Sequence, residues 1–186
     1  MYLKPNLNWK KNKGITLPTV LANVTKSQGY LQVDFYVDEP LKCFRAQVLE
    51  DGGKCWEDSC VEIFMQHPLQ KDTYFNFEVT SRGYMLAAMG KSREGRTLLA
   101  PEITEKIIRT KQLANIVGDM ISWAMTVRIP CGIFGISSFD GIDIYGNLYK
   151  CGDCTETPHY LSAFPIDTEK PDFHRPEFFD ILESNC

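Results

Sequence analysis

Long apolar runs are missing from this chain of 186 residues. None approaches the ~20 consecutive apolar residues that a membrane-crossing helix needs, so such a span is excluded. A surplus of positive charge is missing as well: 20 Lys and Arg stand against 24 Asp and Glu, for a formal net charge of -4. The longest basic run, Lys10-Lys11-Asn12-Lys13, reads as a solvated turn. Without a clustered basic face, nucleic acid is not an expected partner. Histidine is scarce, at three residues, and the chain contains no H-E-x-x-H helix, phosphate loop or Ser/His/Asp constellation. Met1 to Lys13 is polar and lacks the apolar core of a signal peptide, which places the chain in the cytoplasm at face value and outside it if a leader was removed. Seven cysteines make an odd number, and their spacing outlines no disulfide framework, so a reducing compartment is the better expectation.

Short-range alternation of apolar and polar residues is what the chain has in abundance, and that periodicity predicts strands. Tyr30–Val37, Cys60–Met65 and Tyr74–Val79 follow it. In the last of these, Asn76 and Glu78 fall on one face and Phe75, Phe77 and Val79 on the other. Ser81-Arg82-Gly83 predicts a hairpin into Tyr84–Met89. Leu41–Leu49, 103–110, 121–129, Ile144–Lys150, Tyr160–Phe164 and Phe178–Leu182 read as further strands, and Ile133–Ile136 as a short helical turn. Nine or ten such strands separated by turn signals predict an all-β antiparallel sandwich. Helical periodicity is weak throughout, and no repeat, linker or low-complexity segment divides residues 1–186, so one domain is expected.

Three segments carry a resemblance to a known family. Trp56-Glu57-Asp58-Ser59 runs into Cys60-Val61-Glu62-Ile63-Phe64, a tryptophan-led loop entering a strand. Tyr74–Val79 follows with its Gly83 turn, and later come Asn147-Leu148-Tyr149, Pro158–Ser162 and Pro171–Phe179. Together with the Trp123 strand and its Ile129-Pro130 end, they resemble the carbohydrate-binding modules of family 9 in order along nearly the whole chain. The resemblance implies a distorted jelly-roll or immunoglobulin-like sandwich with a slot in which two tryptophans stack on opposite faces of a terminal sugar ring. Trp56 matches the first of them, and Glu62 matches a position that contacts sugar hydroxyls. An aromatic plane suits the apolar C–H faces of a pyranose, and a carboxylate accepts from two adjacent hydroxyls. The register of the second tryptophan falls on Ala163, with Phe164 one position later. Glu78 stands where the family carries arginine, and Arg82, Arg93 or Arg96 from the neighbouring hairpin could supply the lost donor. Structural calcium is also implied by the resemblance.

The candidate sugar contacts are therefore Trp56, Glu62, Glu78, Arg82, Asn147 and Phe164. Trp123 is assigned to the core and Trp9 to a terminal cover. In isolation Glu62 and Glu78 read as solvent-face glutamates on their strands. His174 and Arg175 read as structural, with the arginine fork pinning a terminal strand. Cys151-Gly152-Asp153-Cys154 has the look of half a zinc knuckle, but with His159 and Cys131 available and no second paired motif, a reversible disulfide or two idle thiols is the better expectation. Met65 and His67, two residues apart on one strand, are badly spaced for the two faces of a haem. The expected function is a non-catalytic module binding an oligosaccharide or polysaccharide, with a separate glycosidase as its partner. The alternatives are the same fold with a lost slot serving as a structural or partner-binding unit, and a glycoside hydrolase using Glu62 and Glu78.

Overall fold

The computed structural model of the protein describes residues 1–6, 8–112 and 114–184. Among them run thirteen strands. They are β1 (Tyr2–Pro5), β2 (Thr19–Lys26), β3 (Tyr30–Pro40), β4 (Cys60–Gln66), β5 (Tyr74–Thr80), β6 (Met85–Gly90) and β7 (Thr97–Leu98). After one helical turn, α1 (Pro101–Thr104), come β8 (Ile108–Lys111), β9 (Asn115–Val117), β10 (Met120–Pro130), β11 (Ile144–Cys151), β12 (Tyr160–Ser162) and β13 (Asp180–Glu183). All pairings are antiparallel, in the order β7-β6-β5-β4-β11-β12-β1-β2-β3-β10-β8, with β13 beside β11 and β9 beside β10. The path curls so that β2-β3-β10 faces β6-β5-β4-β11, and β1 serves both halves: Tyr2 and Leu3 pair with β2, Lys4 and Pro5 with β12. This is the antiparallel β-sandwich that the alternation predicts.

Between the two sheets every second residue points inward, as strand geometry requires. Leu31, Val33, Phe35 and Val37 of β3 meet Ile63 of β4, Phe75 and Phe77 of β5, and Trp123, Met125 and Val127 of β10. The β5–β6 hairpin turns where expected, at Gly83, whose φ of 89° is a conformation that a side chain would resist. The expected helical turn is a 3₁₀ turn over Cys131–Phe134, ended by Gly135 at φ 68°.

One feature lay beyond the alternation. The sheet containing β4 and β5 is buried on both faces, with burial at every position of β5. Its outer face carries a second apolar cluster of Phe64, Tyr74, Tyr149, Tyr160 and Phe173, closed by Trp9. Trp9 is fully buried, packs edge-on against Tyr160 and donates from Nε1 to the Thr168 carbonyl at 2.9 Å. Glu62 and Glu78 are accordingly not solvent-face residues: each is 3% exposed, because the chain around Trp9 and residues 164–179 folds over that face.

Three further expectations are corrected. Leu41–Leu49 is not a strand, because Pro40 ends β3 and Leu41–Cys43 forms a 3₁₀ turn before an irregular stretch. Residues 103–110 begin in α1, whose first residue is Pro101, and become a strand only at Ile108. The last strand starts at Asp180, after a 3₁₀ turn over Pro176–Phe178. Among the described residues no helix is long and apolar enough to cross a membrane. The six described cysteines are free thiols, and Cys186 lies outside the described residues.

Candidate functional site

On the doubly covered sheet, the outer covering leaves a cleft of about 290 Å³. Glu62 and Glu78 lie in its lining, flanked by Trp56, Arg93 and Arg96. Asp153, Asp172, Tyr160, Phe173 and His174 complete the far side. The volume sits near the lower end of the roughly 300–1,000 Å³ usual for small-molecule sites, which suits one or two sugar-sized rings.

Local chemistry positions each wall. Trp56 sits in a 3₁₀ turn, Cys55–Glu57, and is half-buried. Its carbonyl accepts from the Asp153 amide at 3.0 Å, and the Glu57 carbonyl accepts from the Cys154 amide at 3.1 Å. Asp58 braces the turn from below: one carboxylate oxygen accepts from the Gln47 and Val48 amides, each at 2.7 Å, and the other pairs with Arg45. On the next wall, the loop after β6 folds back on Gly90, where a Cβ would come within 2.6 Å of the Gly95 carbonyl oxygen. That close approach lays Arg96 over Glu78, with Nη1 3.6 Å from Oε1, and brings Arg93 within 3.2 Å of Asp172. His174 closes the third wall, its Nδ1 hydrogen-bonded to the Tyr74 hydroxyl at 2.8 Å and its ring against Phe64.

Glu62 and Glu78 are direct cross-strand neighbours in the β4–β5 ladder. Burial raises both carboxyls: Glu62 goes well above the usual carboxylate range, helped by the Glu78 charge, and Glu78 to about 7 against the pull of Arg96 and Asn76. Burial likewise raises Asp153, opposed by a hydrogen bond from Tyr160. His174 moves the other way, to about 3, because burial and the Arg96 and Arg93 charges hold it neutral. Among the described residues, two buried polar atoms of the cleft lining have no hydrogen-bond partner: Glu78 Oε2 and Arg96 Nη1. Buried polar atoms are nearly always paired, so an acceptor and a donor without hydrogen bonds in one cleft mark where a ligand's polar groups fit.

Of the six candidates from the sequence, Trp56, Glu62 and Glu78 come together in this cleft. The other three lie elsewhere. Arg82 reaches the Ala46 carbonyl at 3.5 Å, beside Phe44 and Trp123 on another part of the surface. Asn147 is fully buried, and its amide joins both backbone groups of Phe164, donating to the carbonyl and accepting from the amide, each at 3.0 Å. Phe164 and Ala163 both pack on the inner core rather than across from Trp56. The aromatic rings that share the cleft with Trp56 are Tyr160, Phe173 and His174. Arg93 and Arg96, weighed as alternatives to Arg82, are the arginines placed beside the carboxyls.

Other motifs resolve as follows. Arg175 pairs with Glu177 at 2.9 Å and Asp172 at 3.8 Å. Met65 is in the inner core, and the His67 ring lies tilted against Phe75 of the same core. Cys151 is buried and Cys154 exposed, so the C-x-x-C pair does not converge as a zinc knuckle. Calcium takes six to eight oxygen ligands. Among the described residues no three carboxylates gather, and three metal-ligating side chains meet only at Cys60, Glu62 and Cys151.

Comparisons with known proteins agree with this architecture. The profile of carbohydrate-binding family 9 matches residues 4–184. A structure of a candidate carbohydrate-binding protein from Bacteroides uniformis is 34% identical, superposes with a TM-score of 0.83, and is matched over 95% of this chain and 82% of that one. A carbohydrate-binding module of family 9 from Caldicellulosiruptor kristjanssonii, in complex with cellotriose, is 14% identical with a TM-score of 0.52, over 87% of this chain and 73% of that one. A structure of a family 9 module from the same organism with glucose gives 14% identity and a TM-score of 0.53, over 96% and 82%. These two share the fold. Among proteins with curated descriptions none matches.

Proposed function

We propose that this chain, which belongs to carbohydrate-binding family 9, binds one end of an oligosaccharide or polysaccharide in the Trp56 cleft without cutting it. The observation that carries the reading is the meeting, in one cleft, of a half-buried indole with Glu78 Oε2 and Arg96 Nη1, two buried atoms without hydrogen bonds among the described residues. A sugar hydroxyl both donates and accepts. One hydroxyl donating to Glu78 while accepting from Arg96 would satisfy both atoms, and hydrogen bonds to charged groups are the stronger sort. The Trp56 ring supplies an apolar plane for the C–H face of the same ring. Tyr160 and Phe173 offer the remaining aromatic edge in place of a second tryptophan.

A binding role is supported over a cutting one by the placement of the carboxyls. A glycosidase sets its acid and its second carboxylate on either side of the scissile bond. Glu62 and Glu78 instead stand side by side on adjacent strands of the floor. The test is calorimetric titration with glucose, xylose, cellobiose and xylobiose, and with Trp56→Ala in parallel. Binding of at least one sugar, lost in the variant, is expected. Absence of heat with all four would sink the reading in favour of a structural or partner-binding unit, and release of reducing sugar from the disaccharides would replace it with a hydrolase.

A further inference from the structure

Beside Glu78 in the cleft lies a group of side chains that the proposed hydroxyl contact to Glu78 and Arg96 leaves unused. Cys60 and Cys151 are paired residues of β4 and β11, which places their side chains side by side on the covered face of the sheet. Glu62 is the next residue along that face of β4, and its Oε1 accepts from Cys151 Sγ at 3.0 Å. The two sulfurs and the carboxylate oxygen all lie within 4.8 Å of one another. All three residues are buried, yet Glu62 and Cys151 form part of the cleft lining, so the group is reached from solvent through the cleft.

The chemistry of this group is unusual for a packed interior. A buried carboxyl ordinarily takes strong donors, and among the described residues the donor given to Glu62 is a thiol, one of the weakest. A carboxylate oxygen with two sulfurs around one point is, by contrast, a good ligand set for a thiophilic dication. Zinc sits about 2.3 Å from sulfur and 2.0–2.2 Å from oxygen, which for a tetrahedron spaces ligand atoms about 3.5–3.8 Å apart. The three atoms lie within 4.8 Å of one another, and one pair at 3.0 Å, which brackets that spacing. Three protein ligands leave a fourth position directed at the cleft, the arrangement of an open rather than a closed zinc site. The two thiol protons leave to solvent as the ion enters. Two thiolates and a carboxylate overbalance the dication by one charge, and Arg96, over the neighbouring Glu78, stands near to offset it.

We infer that Cys60, Glu62 and Cys151 form a binding site for one zinc-class divalent ion at the base of the cleft. The site is independent of whether the cleft binds sugar. It also differs from the zinc-knuckle reading of the sequence, since Cys154 takes no part and Cys60, 91 positions before Cys151, replaces it.

The experiment uses the full chain, reduced with a phosphine and stripped by a chelator, then titrated with Cd²⁺ and followed by the ultraviolet thiolate-to-cadmium absorption. Zn²⁺ is titrated in competition with a chromophoric chelator. One equivalent of each ion is expected to bind, with the absorption of two thiolates. Cys60→Ser and Cys151→Ser should each abolish the one-equivalent step, and Glu62→Gln should weaken it at least tenfold. The double variant Cys131→Ser/Cys154→Ser should leave it unchanged. Because a buried cysteine variant can fail to fold, the wild-type protein is also loaded with Co²⁺. Intense visible bands of a tetrahedral ion with thiolate ligands are expected, and weak octahedral bands would overturn the site. Binding that survives Cys60→Ser in the folded variant, or that disappears with Cys131 and Cys154, would overturn it as well. So would the absence of any one-equivalent step in the reduced wild type.

Discussion

Lys150 Nζ lies 2.9 Å from Glu39 Oε2, with both side chains fully buried, so a single ion pair joins β11 of one sheet to β3 of the other. The remaining groups around it are matched to the two charges. Lys150 also donates to His159 Nε2 at 2.7 Å and to the Cys151 carbonyl at 3.0 Å. Glu39 Oε1 accepts from Trp123 Nε1 at 2.7 Å and from the Ser59 hydroxyl. Burial and the Lys150 charge keep His159 well below its ordinary range, as a neutral acceptor. Removing one partner would strand the other charge in the core. Lys150→Met is therefore expected to cost about 3–5 kcal/mol of stability. Glu39→Gln/Lys150→Met, which removes both charges, should recover much of that loss. Urea unfolding of the two variants checks it, and equal losses would show that the charges act independently.

The two arginines that the sequence offers as donors are separated by the structure. Arg96 stands over Glu78, whereas Arg82 lies against the Ala46 carbonyl outside the cleft. Arg96→Met should weaken binding of whichever sugar binds by at least about tenfold, the size of one hydrogen bond to a charged group. Arg82→Met should leave affinity unchanged within twofold. Calorimetry on both variants decides, and the opposite ranking would move the binding site away from this cleft.

Phe164 takes its place in the inner core, not in the cleft. Phe164→Ala should lower stability by about 2 kcal/mol, less than a fully buried phenylalanine because the ring is only half-covered. Sugar affinity at a temperature where the variant is folded should not change. A selective loss of affinity would restore Phe164 as the second wall of the slot.

His174 gives the molecule an acid-sensitive wall. Its ring titrates near 3 in the folded protein because of burial and the Arg96 and Arg93 charges, against an ordinary value of 6.5. The unfolded chain therefore takes up a proton first as pH falls. The contribution is complete above about pH 6.5 and declines toward pH 3. The raised carboxyls of Glu62 and Glu78 act with the opposite sign, so the effect is read as a difference. Between pH 6.5 and 4 the wild type should lose about 3 kcal/mol more than His174→Asn does. Denaturant midpoints at the two pH values test it, and parallel loss in both proteins would remove His174 as the cause.

The inward halves of the strands were readable because alternation is a local property. Leu31, Val33, Phe35 and Val37 announce one buried face, and the turn at Gly83 announces the hairpin beside it. The covering of the other face was not readable. Trp9 and Phe173 lie in stretches without periodicity, and they meet Tyr160 of β12 only after the sheet has formed beneath them. The same reason separates the candidate residues. Trp56 and Glu62 share a loop and the strand it enters, so their proximity follows from the sequence. Arg96 reaches Glu78 only through the tight return at Gly90. Cys60 and Cys151 become neighbours through the β4–β11 pairing, which no spacing in the chain reveals. β5 itself carried no signal of the covering: Asn76, Glu78 and Thr80 alternate with Phe75, Phe77 and Val79 as on a half-exposed strand, yet every position is buried.

The sharing of β1 between the two halves bears on how the molecule comes apart. Tyr2 and Leu3 hold one sheet while Lys4 and Pro5 hold the other, so this short strand is a common edge of both. Neither sheet can peel away while β1 stays paired, and once it leaves, each loses a neighbour in the same event. Heat and denaturant should therefore meet one cooperative unit, in which the fluorescence of Trp56 at the cleft and that of Trp123 in the core decay at a common midpoint.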